Sequence, residues 1–268
     1  RMLPFLLLAS LPTIAIAQTS APIAEADMPA DARFSADRVK ADVTFLADDL
    51  LEGRDTGSKG YEIAARYVAQ RFAALGLTPL GDKAGEGRNW LQQVTFQKTE
   101  RTEAPSGLTV TGPTGSATFN HAVDSYVSVS ATEPKLDVTA PLVFVGYGFK
   151  NARLGLDDYK GLDVKGKIVV MLRGFPSDLP SEAAAYLVNS KYEFAQAQGA
   201  IGVIQIDTNA SAKQTPWERR LSYGGGASIT WVGPDGKAFD DTPEIRAGAS
   251  VNDKAAQAMS AGAGRRLS

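Results

Sequence analysis

Apolar residues Val39, Val43, Leu46 and Leu50 recur after Ser35 at the spacing that lines one face of an α-helix. Ser35 can cap that helix, and Gly53 lies just past its end. A second stripe, Tyr61, Ala64, Ala65, Val68, Phe72 and Leu75, opens after Ser58 and is stopped by Gly76 and Pro79. Both helices are amphipathic, so each needs a partner for its apolar face. Gly81–Asn89 reads as a loop and Leu91–Phe96 as a strand; Thr109–Thr132 is β-prone and punctuated by Gly and Pro. From Leu142 the rhythm changes. Leu142–Tyr147, Lys167–Leu172 and Ile201–Ile206 read as strands, the last two as buried apolar runs, and Ser181–Gln198 reads as a helix. Strand, strand, helix, strand predicts an α/β unit. Asp207–Gly226 reads as a polar loop, Ile229–Val232 as a further strand, and Asn252 as the cap of a short helix carrying Ala255, Ala256 and Met259.

Composition narrows the class. The chain has 268 residues, 44% hydrophobic and 22% charged, with a formal net charge of −2. That is material for one or two domains of roughly 100–200 residues each, with no electrostatic footprint for nucleic acid or an anionic membrane. Arg1 leads into the apolar stretch Met2–Ala17, which ends in Ala15-Ile16-Ala17; this order fits a secretory signal peptide with cleavage near Ala17–Gln18. Residues 18–34, rich in Ala, Pro and Asp, read as a flexible leader. The expected location is therefore periplasmic or extracellular, with no membrane attachment after cleavage. With no cysteine in the chain, disulfides, thiolate metal sites and cysteine nucleophiles are excluded.

Candidate chemistry is sparse. Gly161-Leu-Asp-Val-Lys-Gly166-Lys167 follows a phosphate-binding loop for seven positions, but Ile168 stands where Ser or Thr is required and a strand follows in place of a helix. A turn before a buried strand explains its glycines better. His121 is the single histidine and has no carboxylate at ligand spacing. It cannot assemble a zinc-water centre by itself, and a hydrolase built on His121 and a serine lacks the Gly-x-Ser-x-Gly turn. Asp48, Asp49, Glu52 and Asp55 crowd what reads as a helix C-terminus, where the dipole disfavours acids. A loop-fixing role or a structural ion pair with Arg54 is the expectation there, in preference to a metal site. Asn209-Ala-Ser211 is a formal glycosylation sequon, a three-residue pattern common by chance.

Two ordered blocks carry a resemblance. Leu46-Ala-Asp-Asp-Leu-Leu-Glu-Gly-Arg54, with Thr56-Gly57, Gly60, Ala64-Ala65, Tyr67, Phe72, Leu75-Gly76-Leu77, Pro79 and Gln92, resembles the opening of exported zinc-dependent aminopeptidases. Val143-Phe-Val-Gly-Tyr-Gly148, Asp158-Tyr-Lys-Gly161, Asp163–Val170, Lys191, Ala195 and Gly199–Val203 resemble the protease-associated (PA) domain inserted near the front of that family's catalytic domain. The resemblance implies an α/β fold: the first helices and strand of a zinc-exopeptidase domain over 35–128, a PA domain over 129–250, and a return segment over 251–268. It implies a parent that binds two zinc ions through His, Asp and Glu and cleaves residues from peptide N-termini. No zinc ligand or catalytic residue of that family matches a position here. This chain is therefore expected to bind no zinc and to be inactive by itself, with peptide or protein substrates belonging to the parent. A different class stays open: a non-enzymatic PA-type module binding protein or peptide partners. The helix pair before residue 100 has too little sheet to cover it, so the chain should bind a hydrophobic dye such as ANS and aggregate with rising concentration. A dye-silent monomer in sedimentation would contradict that.

Overall fold

A computed structural model describes residues 35–224 and 226–262. The expected signal peptide, the leader and the terminal Arg265–Ser268 lie outside these residues. The chain divides into two compact units between Gln92 and Gln93, upstream of the 128/129 boundary expected from sequence.

In the first unit, α1 (Ala36–Leu46) starts at Ser35, whose hydroxyl accepts from the Arg38 N–H. It ends earlier than the apolar spacing suggests. Asp48 turns extended (ψ 136°) and its carboxylate accepts from the Leu50 N–H, so it caps a 3₁₀ turn over Asp49–Arg54. A short acid is better placed as an N-cap than at a helix C-terminus. α2 (Lys59–Ala74) is capped by Ser58 through the Tyr61 N–H and closes at Gly76, φ 71°. Phe45 stacks on Tyr67 at 4.3 Å, the Tyr67 hydroxyl donates to Asp42 at 2.5 Å, and Arg71 pairs with Asp42 at 3.1 Å. A small hairpin, β1 (Lys83–Ala84) and β2 (Gly87–Arg88), occupies the segment expected to be a loop. Val39, Val43, Leu50, Leu75, Leu77 and Leu80 are each more than half exposed, and α1 buries no residue.

The second unit begins with β3 (Phe96–Thr99), the antiparallel hairpin β4 (Gly107–Gly112) and β5 (Gly115–Asn120), and β6 (Ser125–Val127). β7 (Leu142–Phe144) is followed by a short ribbon, β8 (Lys150–Asn151) and β9 (Leu156–Asp157), and then β10 (Ile168–Leu172). The single helix expected over Ser181–Gln198 is two helices, α3 (Ser181–Asn189) and α4 (Lys191–Ala197), broken at Ser190. β11 (Gly202–Ile206) follows. The expected polar loop then contains α5 (Asn209–Gln214) and α6 (Trp217–Gly224). β12 (Ser228–Trp231) pairs antiparallel with β3, so the strand read at Leu91–Phe96 starts later and finds its partner about 130 residues downstream. β13 (Ala247–Val251) and α7 (Asp253–Gly262) complete the unit.

The central sheet has the order β6-β13-β11-β10-β7, with β7, β10, β11 and β13 parallel and β6 antiparallel at one edge. Its pleat sends alternate residues to opposite faces. Val170, Ile204, Ile206 and Val251 meet Phe119 of the hairpin and Ala255 and Ala256 of α7. Val169, Met171 and Val203 meet Tyr159, Val164 and Ala195 on the other side. A sheet covered on both faces reads as unbroken apolar runs, which is how β10 and β11 stood out.

The tightest backbone approach is in the first unit. A Cβ on Gly60 would lie 1.8 Å from the Leu51 carbonyl oxygen, and Leu51 is itself buried. Gly60→Ala should cost about 3 kcal/mol, the upper end of overpacking, because backbone cannot yield as a side chain can. Urea unfolding would show it. A loss below half that would mean the approach is not a constraint.

Candidate functional site

The parallel strands β10 and β11 end side by side, and the carboxyl ends of parallel strands are where open α/β sheets present their chemistry. The segment leaving β10 is Arg173-Gly174-Phe175. Lys191, at the start of α4, is 1% exposed, and its ammonium donates to the carbonyls of Leu172 (2.7 Å) and Gly174 (2.8 Å), one on either side of Arg173. It also lies over the rings of Phe149 at 4.8 Å and Tyr147 at 5.5 Å. The Arg173 N–H donates to Ile206 O at 2.7 Å, and Gly174 turns the chain at φ 82°. Arg173 is thereby fixed in place by its backbone.

Asp207, the first residue after β11, has a side chain only 4% exposed. Its Oδ1 accepts from Arg220 Nη2 at 2.5 Å and from Ser211 Oγ at 2.8 Å, and lies 3.9 Å from Arg173 Nη1. Ser211 is held by Thr208 in a reciprocal cap at the start of α5. Arg220 stands 5.3 Å from the ring of Trp217. One buried carboxylate thus faces two guanidinium groups. Arg173 Nη1 and Arg220 Nε and Nη1 are buried without a hydrogen-bond acceptor among the described residues. Burial, with Arg220 nearby, draws the Arg173 pKa below its ordinary value against the opposing pull of Asp207. Beside the cluster runs a groove of about 360 Å³ lined by Arg173, Phe175, Val188, Asn189, Ser211 and Gln214, among others.

The residues singled out in the sequence lie elsewhere. His121 Nδ1 accepts from the Val127 N–H at 3.1 Å, its ring is 5.3 Å from Tyr126, and burial followed by Arg101 lowers its pKa. Its role is to hold the turn into β6. In the acidic stretch Asp48 does fix a loop, but among the described residues Arg54 forms no ion pair with the neighbouring acids. Glu52, Gly53 and Arg54 instead take successive left-handed conformations, φ 50°, 74° and 57°. Gly161 and Gly166, at φ 75° and 69°, make the turn before β10, and Lys167 returns to Asp163. No group of three or more His, Cys, Asp or Glu able to hold a metal occurs among the described residues. None of their helices is long and apolar enough to cross a membrane. The Asp207–Arg220–Arg173 cluster has no sequence signature of its own, because α5 and α6 lie in a polar stretch that reads as loop. Thr208 before Ser211, and Pro216 at the entry of α6, were the available signals.

The fold is α/β, and residues 138–244 match the family model of the PA domain. Among solved structures the chain is similar to an aminopeptidase from Aneurinibacillus sp. strain AM-1, at 21% identity and a TM-score of 0.33 over 87% of this chain. It is also similar to BSAP, a zinc aminopeptidase from Bacillus subtilis, at 21% identity and a TM-score of 0.28 over 66% of this chain. The chain spans 42% of the first structure and 34% of the second. No curated protein matches it.

Burial lowers the Lys191 pKa from 10.5 to about 8, with Asp158 opposing the shift and Arg173 adding to it. Between these values the unfolded chain holds a proton that the folded chain has released, so stability should rise as pH climbs from about 8 toward 10.5. Lys191→Met removes this dependence. Urea unfolding of both proteins at pH 7.5, 8.5 and 9.5 should show the wild type gaining on the variant by about 1 kcal/mol per pH unit above 8. Parallel pH profiles would contradict it.

Proposed function

We propose that this chain is the front portion of an exported zinc metallo-aminopeptidase, in which a PA module follows the first helices of the peptidase domain along the chain. The observation that carries this reading is the PA match over 138–244, preceded by a separate helical unit bearing the Leu46–Arg54 stretch. The broadly exposed apolar stripes of α1 and α2 fit a unit whose sheet is supplied by further chain.

Zinc, two ions in the parent, belongs to this proposal and not to the residues described. His121 is engaged with backbone, and no group of three or more His, Asp or Glu able to hold a metal occurs among the described residues. Hydrolysis in this reading belongs to the longer parent and to zinc ligands supplied there. Its contribution is to begin the peptidase fold and to present the PA surface to peptide or protein substrates. Export rests on the Arg1–Ala17 pattern.

The test is to sequence the coding DNA beyond the Ser268 codon, express its full product, and assay leucine p-nitroanilide with and without a chelator. The expected result is chelator-sensitive release of nitroaniline by the longer product and none by the 268-residue chain. A stop codon directly after Ser268, or a longer product lacking aminopeptidase activity, would overturn the reading.

A further inference from the structure

The groove beside Arg173 has the chemistry of a carboxylate receptor. The cluster carries two guanidinium groups against one carboxylate, with Asp207 Oδ1 already taken by Arg220 and Ser211. Among the described residues Arg173 makes no side-chain hydrogen bond; its buried Nη1 stays 3.9 Å from that oxygen, while the side chain as a whole is 31% exposed. The exposed part of the Arg173 side chain lines the groove and stands open to an acceptor from solution. A planar guanidinium with free donors matches a carboxylate in a two-point contact. The rest of the lining suits a peptide. Asn189 and Gln214 offer amides, Thr215 carries a hydroxyl, and Phe175, Ala185 and Val188 supply an apolar wall. The volume, about 360 Å³, is of the size that takes a few residues or a small molecule.

Rigidity adds to the case. Arg173 is bracketed by the two carbonyls that Lys191 grips, and Lys191 brings a third cation into the neighbourhood, countered in part by Asp158. The site is therefore preorganised and positive before any ligand arrives.

We propose that the groove between α3 and the segments leaving β10 and β11 binds the carboxylate of a peptide, with Arg173 as its anchor. The peptide half of this inference rests on the reading of the chain as part of a peptide-handling protein. Carboxylate binding rests on the cluster itself and is read without hydrolysis, so the two can fail separately.

Isothermal titration calorimetry on the 268-residue chain tests it with three blocked peptides. Acetyl-Ala-Ala-Leu has a free C-terminal carboxylate, acetyl-Ala-Glu-Ala-amide has a side-chain carboxylate only, and acetyl-Ala-Ala-Leu-amide has none. At least one acid-bearing peptide should bind saturably, one per chain, at least tenfold tighter than the third. Which of the two binds tells a chain terminus from an acidic side chain. Arg173→Gln should weaken binding at least tenfold; Arg173→Lys, which keeps the charge but loses the fork, should weaken it several-fold and covers the case in which the glutamine variant does not fold. Equal affinity for all three peptides, or undiminished binding by a folded Arg173 variant, would overturn the proposal. Inorganic phosphate binding as tightly as the better peptide would overturn its peptide half.

Discussion

One buried ammonium group organises the carboxyl end of the central parallel sheet. Lys191 is enclosed by protein, and removing an ammonium from water is expensive unless hydrogen bonds replace its hydration. Two main-chain carbonyls and two aromatic faces do so here. The carbonyls belong to residues flanking Arg173, so the interaction that satisfies the lysine also fixes the exit of β10. It accounts as well for the helix break at Ser190, which delivers Lys191 to the end of the sheet. The cost of burying the charge remains visible in its lowered pKa.

Much of this architecture was legible because the central strands are covered on both sides. β10 and β11 announce themselves as Ile168-Val-Val-Met-Leu and Gly202-Val-Ile-Gln-Ile, runs that only a doubly covered sheet requires. β13 did not, although it lies between β6 and β11. Its sequence, Ala-Gly-Ala-Ser-Val, is poor in strand formers because its neighbours stand close. A Cβ on Gly248 would come within 3.1 Å of Ser128 Oγ, and one on Gly202 within 3.2 Å of Ala247 O. Close approach selected small residues and thereby erased the periodic signal. The candidate site was hidden for a related reason. Asp207, Ser211 and Arg220 are polar and sit in a polar stretch, and only the fold shows that Asp207 and Arg220 are buried together.

The first unit presents the opposite balance: local signals are clear and tertiary burial is slight. Ser35 and Ser58 cap their helices as read, yet α1 buries nothing and α2 only Gly60 and Ala69. The unit is held instead by the Asp42–Tyr67–Arg71 contacts and by the Leu51–Gly60 approach. Its left-handed run at Glu52–Arg54 places two non-glycine residues in a conformation disfavoured by about 1–2 kcal/mol each. Strain of this kind survives where surrounding structure over-determines it, and here it lies within the stretch that carries the family resemblance.

The interleaved strand order has a consequence for how the chain is made. β6 leaves the ribosome early, but its partner in the sheet, β13, follows about 120 residues later, and β3 waits similarly for β12. At roughly 5–20 residues per second, that leaves β6 without its sheet partner for about 6–24 s. Neither edge can be completed by local folding, so the nascent chain carries unpaired strands until β12 and β13 emerge. A sheet whose pairing waits this long keeps that stretch of polypeptide unfolded for longer, and an unfolded polypeptide is the form that can be threaded through a narrow channel.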